Sequence, residues 1–389
     1  MANLSRFVGA RLRDARIARM KTAVFLAEEV GVTPAAINKY ELKNATPRDE
    51  VLELIAEKLG VPAPYFFKPE YPADEAPFMM RSLASSTKRS RDAAAKRVDW
   101  IREIVTFLSG IVSIPTPSIP DLFAGSDPTA ISGDDIEDAA TAVRRYWGMK
   151  DGPIADLVAL LESKGVVTAC FSLNAEKLDS FSKWSAEAPI VVDNTDKCTA
   201  VRLRFDLAHE LGHLVLHRHV DRKLSARSDV HKVMEQQAHR FAGAFLFPAT
   251  SFRNEIYSIS LAGLLEPKMR WKISAQAMIY RARHLGMINE YQFERAYRRL
   301  SSQRQRSFEP LDDKIERESP NLLRSFLTAL IENGVATRSD LLADLRFGAR
   351  EIEILTNLPA GYLGESWGKV LPLESKSDVG NVIRFPKRD

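Results

Sequence analysis

Cysteine and long apolar runs are both scarce in this 389-residue sequence. It has two cysteines, Cys170 and Cys198, and no CxxC pair, which excludes a disulfide scaffold and favours reduced thiols in the cytoplasm. No stretch approaches the ~18 uncharged apolar residues of a membrane span. The first 19 residues are dotted with arginine and lack the apolar centre of a secretory signal. We therefore expect a cytoplasmic protein that does not insert into a membrane.

Neither sign of charge is in large excess, since 55 Lys and Arg residues face 51 Asp and Glu residues, for a net charge of +4. The distribution is uneven: residues 1–68, 81–102 and 268–306 are basic, and residues 309–365 are acidic. A solvated basic face is the ordinary interpretation of the second and third basic stretches, and a nucleic-acid track is the alternative. The length predicts two or three domains.

The first 68 residues predict a compact set of helices. One short helix over 22–30 ends at Gly31, and the next begins at Thr33, a favourable N-cap, with Pro34 in the first helical position. Two short helices joined at a glycine inside a four- or five-helix unit form the helix-turn-helix pattern. Prolines at 62, 64, 69, 72 and 77 then indicate a domain boundary.

Six of the seven histidines lie between residues 209 and 239, and residues 209–213 read His-Glu-Leu-Gly-His, an HExxH pattern. Positions four apart share one face of a helix, so His209 and His213 can bind one metal ion while Glu210 lies beside a bound water. Two histidines, a third protein ligand and a water form the catalytic zinc arrangement, in which the glutamate takes the water's proton. The sequence therefore predicts a Zn²⁺ site with Glu210 as the catalytic residue.

The third zinc ligand is sought on or beside the next predicted helix, over 232–247, where Glu235, His231 and His239 are available. Glu235 and His239 are four residues apart, so both can face the site. We favour Glu235, because it completes a His2Glu set. His239 is then left for contact with a ligand residue or with the substrate.

Two further histidines follow the HExxH pattern. His217 continues the stripe of His209 and His213 by one turn, and we expect it to support a ligand or to lie at the surface rather than to bind the metal. His219 stands where a third histidine ligand would follow in HExxHxxGxxH, but Leu216 replaces the glycine. Without a turn there, His219 is expected on a continuing helix that faces it away from the metal.

The run RFDLAHELGHLVLH at 204–217, followed by MEQQAHRFAGAFLFP at 234–248, resembles the ImmA/IrrE-type zinc metallo-endopeptidases. The likeness extends over roughly residues 78–310. It implies that His209, His213 and Glu235 are the zinc ligands. It also implies that Glu210 is the general acid/base. The chain has His239 where this family usually has Asn, and phenylalanines at 245 and 247 where it prefers Leu and Met. These departures leave the implied metal set intact.

Residues LAEEVGVTPAAINKYE at 26–41 resemble a Xre/Cro-type helix-turn-helix. The resemblance implies a recognition helix over 33–39 that enters the major groove of DNA. The candidates for DNA contact are Thr33, Ala35, Ala36, Asn38 and Lys39. An alanine-rich face can contact thymine methyls and read shape, but it makes few bidentate contacts with bases. A helix-turn-helix that contacts protein instead of DNA is the alternative.

The patterns together predict an α+β fold that is mostly helical. It consists of an N-terminal all-α helix-turn-helix domain and a zincin-like metallopeptidase domain with a small β-sheet and C-terminal helices. The predicted division is a helix-turn-helix domain at 1–68, a linker at 69–95, a peptidase domain at 96–308, and a C-terminal helical region with a polar tail at 309–389. Short β-branched runs predict strands at 166–171 and 189–193. We expect 189–193 to be an edge strand that pairs with extended substrate.

Two functions fit these expectations. In the first, the protein is a DNA-binding transcriptional regulator with zinc-dependent endopeptidase activity, which binds double-stranded operator DNA and cleaves a repressor, an antitoxin or a similar regulatory protein. In the second, it is a DNA-binding repressor whose metal domain is a sensor or scaffold with little proteolysis. A homodimer would match paired half-sites. The proline-punctuated segment 62–77 would be an accessible site for autocleavage.

Overall fold

The structure, a computed structural model, describes residues 6–42, 45–71, 78–80, 87–173, 179–185, 187–197, 199–302 and 308–364. Cys198 and the predicted polar tail at 374–389 lie outside these residues. The described chain is mostly helical and contains one small sheet, which confirms the predicted α+β class. None of its helices is both long and apolar enough to cross a membrane.

Four helices form the N-terminal unit. They are α1 (Gly9–Ala18), α2 (Ala23–Glu29), α3 (Pro34–Glu41) and α4 (Asp49–Leu59). The Thr33 hydroxyl accepts a hydrogen bond from the Ala36 N–H at 3.2 Å and so caps α3. Gly31, at φ +68°, makes the left-handed turn between α2 and α3, and Ile37 fills the core beneath them. The predicted helix-turn-helix is therefore confirmed.

The chain after α4 packs into the core instead of forming an open linker. Residues Ala63–Phe67 form a 3-10 helix, in which the rings of Tyr65 and Phe66 are fully buried. The expectation of an accessible autocleavage site over 62–77 is therefore wrong for this helical part, because a protease needs an exposed, extended chain. Residues 72–77 lie outside the described residues.

Helix α5 (Lys88–Ser109) joins the N-terminal unit to the rest of the protein. It packs along α1, and the Trp100 indole donates a hydrogen bond to the Tyr65 hydroxyl at 3.0 Å. The helix runs without interruption through position 95, where the sequence predicts the end of a linker. The predicted division into domains stays a proposal.

The remaining helices surround the sheet. They are α6 (Gly133–Tyr146), α7 (Leu157–Ser163), α8 (Ala200–Leu216), α9 (Arg222–Ser225), α10 (Ser228–Leu246), α11 (Ala249–Glu255), α12 (Leu261–Trp271), α13 (Ala275–His284), α14 (Glu290–Ser302), α15 (Leu322–Glu332), α16 (Arg338–Leu345) and α17 (Ala349–Thr356). Helix α6 begins with a capping box between Ser132 and Asp135, and its first turn is acidic as the helix dipole favours.

The sheet has four strands in the order β1-β3-β4-β2. They are β1 (Phe78–Met80), β2 (Val167–Phe171), β3 (Ser180–Trp184) and β4 (Pro189–Asn194). Strand β4 pairs with β2 in parallel and with β3 antiparallel. The expectation that residues 189–193 form an edge strand is therefore wrong, since both edges of β4 are occupied and all its residues are buried. Within the described residues, β1 and β2 are the edges.

A separate hydrophobic core lies on each face of the sheet. One core joins the helix-turn-helix, α5 and α15–α17 to Phe181 and Val192 of the sheet. The other joins α6–α8 and α10–α14 to Val191, whose side chain points to the opposite face. Because side chains alternate along β3, Ser180 and Ser182 face α8 while Phe181 faces the first core. The sheet thus presents two hydroxyl groups to the HExxH helix.

Candidate metal centre and DNA-binding surface

Helices α8 and α10 bring three predicted metal ligands together. The Nε2 atoms of His209 and His213 lie 3.1 Å apart, and the Glu235 carboxylate lies 3.2 Å from the first and 3.1 Å from the second. Both histidines are 1% exposed, and the Glu235 side chain is 17% exposed. The close approach depends on Gly212, where a Cβ would lie 3.1 Å from the Cα of Ala238 on α10.

This donor set fits zinc. Two imidazoles and one carboxylate are a His2Glu set, and tetrahedral Zn–N and Zn–O bonds of about 2.0–2.1 Å place neighbouring ligand atoms about 3.3 Å apart. The separations of 3.1–3.2 Å between ligand atoms agree with that value to a few tenths of an ångström. Among the His, Cys, Asp and Glu side chains of the described residues, these three lie close enough together to hold one metal ion.

The electrostatics of Glu235 match a ligand that stays ionised. Burial acts to raise the pKa of the Glu235 carboxyl, but the charge on His213 and hydrogen bonds from both imidazoles outweigh it, so the pKa lies well below its usual range. An ionised carboxylate is the form that binds zinc.

Glu210 lies next to the ligands and is fully buried. The Ser180 hydroxyl donates a hydrogen bond to its Oε1 at 2.7 Å, whereas Oε2 has no hydrogen-bond partner in the described structure. Burial raises the pKa of the Glu210 carboxyl to about 7, although the charge on His213 acts to lower it. One oxygen is thus held by β3, and the other is a buried acceptor without a partner among the described residues.

A hydrogen-bonded chain runs from His213 away from the ligand atoms. Nδ1 of His213 lies 2.9 Å from Nδ1 of His217, and Nε2 of His217 lies 2.9 Å from Oε1 of Gln237. The Gln237 amide donates to the carbonyls of Pro128 and Ile131 at 2.7 and 3.0 Å. Because that amide fixes Oε1 as the acceptor, His217 must donate from Nε2 and accept at Nδ1. His213 then donates from Nδ1, so that Nε2 is the nitrogen that can bind a metal once it has lost its proton.

The structure brings His217 but not His219 to the centre. His217 is fully buried, and burial lowers its pKa to about 3, so the ring is neutral. Helix α8 ends at Leu216, so the expectation that His219 lies on a continuing helix is wrong. His219 instead forms an exposed ion pair with Asp121 at 2.8 Å. It makes no contact with the ligands because the chain turns away.

Two further histidines that the sequence offers as ligands, His231 and His239, lie on the same helix as Glu235. The Nε2 atom of His231 is 3.8 Å from the Glu235 carboxylate. His239 points along the cleft, with its ring 4.8 Å from Phe205 and 5.2 Å from Tyr280, measured between ring centres. Neither histidine belongs to the group of side chains that could hold a metal ion in the described part of the chain.

A cavity of about 970 Å³ opens onto the ligands. Its lining includes His209 and Glu235 of the predicted metal set, together with His239 and Tyr280. Three cationic side chains also border it: Lys232, Arg240 and Arg283. This volume lies at the upper end of the range for small-molecule pockets, so it is large enough for several residues of an extended peptide.

Four of the five predicted DNA contacts are exposed on α3 or its N-cap. Thr33, Ala35, Asn38 and Lys39 are exposed, and Ala36 is half-buried. The exposed face of α3 therefore contains the residue set predicted to enter a groove.

Fewer cationic side chains of the N-terminal unit are available to bind DNA phosphates than its composition indicates. Arg11 pairs with Glu103, and Arg16 pairs with Glu41. A third arginine of α1, Arg19, pairs with a glutamate of α17. Cations held in such pairs contribute less to phosphate binding than free ones, because the attraction is already shared.

The third basic stretch, residues 268–306, is also partly internal. Lys268 is fully buried between Glu309 and Asp312, at 2.9 and 2.6 Å, and Arg281 is 2% exposed and pairs with Glu137. The interpretation of 268–306 as one solvated basic face is therefore wrong for these two residues, whose acidic partners come from other segments.

Comparison with known families gives two matches. A helix-turn-helix model matches residues 12–66, and the model of the IrrE N-terminal-like domain, peptidase family M78, matches residues 161–283. The chain joins a helix-turn-helix to an IrrE N-terminal-like domain. The second match contains Glu210 and all three converging ligands, and it is shorter than the range 78–310 over which the sequence resembles the family. The comparison with curated proteins gives no match.

The two matched domains support a DNA-binding regulator that carries a metallopeptidase-type domain. Sequence reasoning did not find two residues of the centre, Ser180 and Gln237. Alternation in the segment SFSKW was the available signal for the first, since it places two serines on one face of a strand. No local pattern identifies the second, because its hydrogen bonds reach across to residues 128 and 131.

Proposed function

We propose that the protein is a transcriptional regulator with zinc-dependent endopeptidase activity, whose substrate is a repressor, an antitoxin or a similar regulatory protein. The observation that carries the proposal is that the ligand atoms of His209, His213 and Glu235 lie about 3 Å from one another. Next to them is the buried Glu210, one of whose carboxylate oxygens has no hydrogen-bond partner among the described residues. A structural zinc site would need no such glutamate and would be closed by a fourth protein ligand.

Zinc bound by these three residues would polarise the scissile carbonyl and make a water acidic enough to react at neutral pH. Glu210 would accept a proton from such a water at Oε2, while Ser180 holds Oε1 and fixes the orientation of the carboxylate. The same carboxyl then donates the proton to the leaving amine.

The cleft next to the ligands is the expected path of the peptide. His239 and Tyr280 line it and are the donors that we assign to the developing oxyanion. His217 cannot serve this purpose, because both its nitrogens are engaged by His213 and Gln237. Extended substrate would pair with an outer strand of the sheet, which is β1 or β2 among the described residues, since β4 has no open edge.

A Glu210→Gln variant tests the enzymatic proposal. Proteins encoded by neighbouring genes would be incubated with the wild type and with the variant, and cleavage products identified by mass spectrometry. We expect the variant to keep one zinc per chain, measured by elemental analysis, and to lose cleavage. His219→Gln is the matched control, because it changes an exposed histidine away from the ligands.

The second function, a DNA-binding repressor with the metal domain as sensor or scaffold, predicts a different outcome. Regulation in cells would then be unchanged by Glu210→Gln but lost when His213 is replaced. A regulatory defect in the Glu210→Gln cells together with normal zinc content supports the peptidase instead.

DNA binding through α3 is tested separately. We expect a fragment carrying the operator to bind at ~50 mM salt and to dissociate steeply as salt rises, because phosphate contacts release counterions. Lys39→Ala should reduce the salt slope by about one, and Asn38→Ala should relax sequence preference. If no upstream DNA fragment shifts in a gel assay at low salt, this part of the proposal is wrong. The cytoplasmic location stays a prediction.

A further inference from the structure

A second cavity, of about 790 Å³, lies where the helix-turn-helix, α5, β2 and α17 meet. Its lining includes Arg19 and Gly60 from the helix-turn-helix and Arg97 from α5. It shares no lining residue with the cleft at the metal ligands. Its volume is typical of sites that bind small molecules.

Arg97 reaches this cavity without a carboxylate within ion-pair distance among the described residues. Its Nη1 donates to the Ser172 carbonyl at 3.1 Å, and its guanidinium lies 5.3 Å from the centre of the Phe171 ring. Its Nε is buried and has no hydrogen-bond partner. Burial lowers the pKa of Arg97, yet a guanidinium does not lose its proton in proteins. The charges of Glu351 and Asp196 act on this guanidinium only from beyond ion-pair distance, so an anion placed against it would supply the close counter-charge of a desolvated cation.

The acidic residues of the cavity form no ion pair with Arg97 in the described structure, although the charge of Glu351 acts on it from a distance. Glu351 pairs with Arg19 at 2.6 Å. Glu353 accepts the N–H groups of residues 361 and 363 at 2.9 and 2.8 Å. Arg350, exposed at the rim, adds a third cation to the lining, so three arginines face two glutamates.

The remaining lining describes the rest of the ligand. Phe171, Ile354 and Leu358 provide an apolar wall. Glu351 Oε1 is buried without a hydrogen-bond partner and can accept from a hydroxyl or amine. An inorganic anion would leave the wall and this acceptor unused.

We propose that this cavity is a binding site for a small organic anion, whose carboxylate or phosphate group pairs with Arg97 and whose apolar part contacts Phe171 and Ile354. The guanidinium offers the paired donors that planar carboxylates and phosphates both accept. The site is independent of the peptidase activity, since none of its residues contacts the metal ligands.

The test measures the thermal midpoint of the full-length protein with inorganic phosphate, succinate, adenosine monophosphate or 3-hydroxybutyrate. Each is used at about 10 mM, tenfold above a weak Kd of ~1 mM. We expect a saturable rise with at least one organic anion, and titration calorimetry then gives its Kd. A response to adenosine monophosphate but not to the carboxylates identifies a phosphate ligand, and the reverse identifies a carboxylate.

Two variants locate the site. Arg97→Met should weaken binding at least tenfold, and Ile354→Trp should abolish it by filling the cavity without changing its charge. Lys88→Met, at an exposed position of the same helix, should bind normally. The proposal is overturned if no organic anion binds, if phosphate alone binds, or if both cavity variants bind as the wild type does.

Discussion

Replacing His217 with phenylalanine would interrupt the hydrogen-bonded chain behind the metal centre while keeping a planar ring in a fully buried position. His213 Nδ1 and Gln237 Oε1 would each lose a partner that now lies at 2.9 Å. Gln237 would keep its bonds to the carbonyls of residues 128 and 131, so it cannot turn to compensate. His213 would lose the group that fixes its tautomer.

The size of the effect follows from these losses. A buried polar group left without a partner costs about 1–3 kcal/mol, so the metal-free protein should be destabilised by about 2 kcal/mol or more. Removing the group that orients a metal-binding histidine weakens metal affinity about 10–100-fold. The second loss is about 1.4–2.7 kcal/mol of binding free energy.

Competition with a chromophoric chelator measures the zinc Kd, and urea unfolding of the metal-free protein measures stability. His219→Phe is the control, because the same substitution at this exposed residue leaves the chain intact. Gln237→Met breaks the chain one step further from the ligands and should give a smaller loss of affinity. If His217→Phe lowers stability but binds zinc as tightly as the wild type, the chain does not orient His213 and our reasoning is refuted.

Two further predictions concern stability. Burial and nearby arginines lower the pKa of His284 to about 4, below the value of 6.5 expected when unfolded, so protonation favours unfolding and stability falls as pH drops from 6.5 to 4. The free energy of unfolding would be measured in urea at pH 7 and at pH 4.5. His284→Gln should reduce the fall between these two pH values by up to about 3 kcal/mol. An equal fall in the wild type and in the variant would contradict this prediction. Glu318→Gln should cost about 3–5 kcal/mol in the same assay, because it leaves Arg204, 1% exposed, without its counter-charge. Asp229→Asn, which breaks an exposed pair, should leave the free energy of unfolding almost unchanged, and a similar cost for both variants would count against the argument.

Local chemistry was enough to predict much of the fold and the centre. The HExxH spacing, the cap at Thr33 and the turn at Gly31 each depend on residues within four positions, and the structure has the expected helices there. The choice of Glu235 over its neighbours used only helical spacing and ligand chemistry, and the side chains do converge.

What sequence reasoning missed depends on contacts distant in the chain. The order of strands cannot be read from one strand, so β4 was predicted at an edge although β3, itself unpredicted, covers it. Lys268 looks like a surface cation until residues 309 and 312, about forty positions later, enclose it. Gln237 likewise gains its importance from carbonyls more than one hundred positions earlier.

The core that α5 and the C-terminal helices share with the helix-turn-helix has a consequence for any cut in the chain. A nick between residues 72 and 77 would separate the N-terminal unit covalently, but buried contacts of Tyr65 with Trp100 and the ion pairs of Arg11 and Arg19 would still hold it. The two fragments should migrate as two bands on a denaturing gel and elute as one particle in gel filtration. Proteolysis there would not by itself release a free DNA-binding unit.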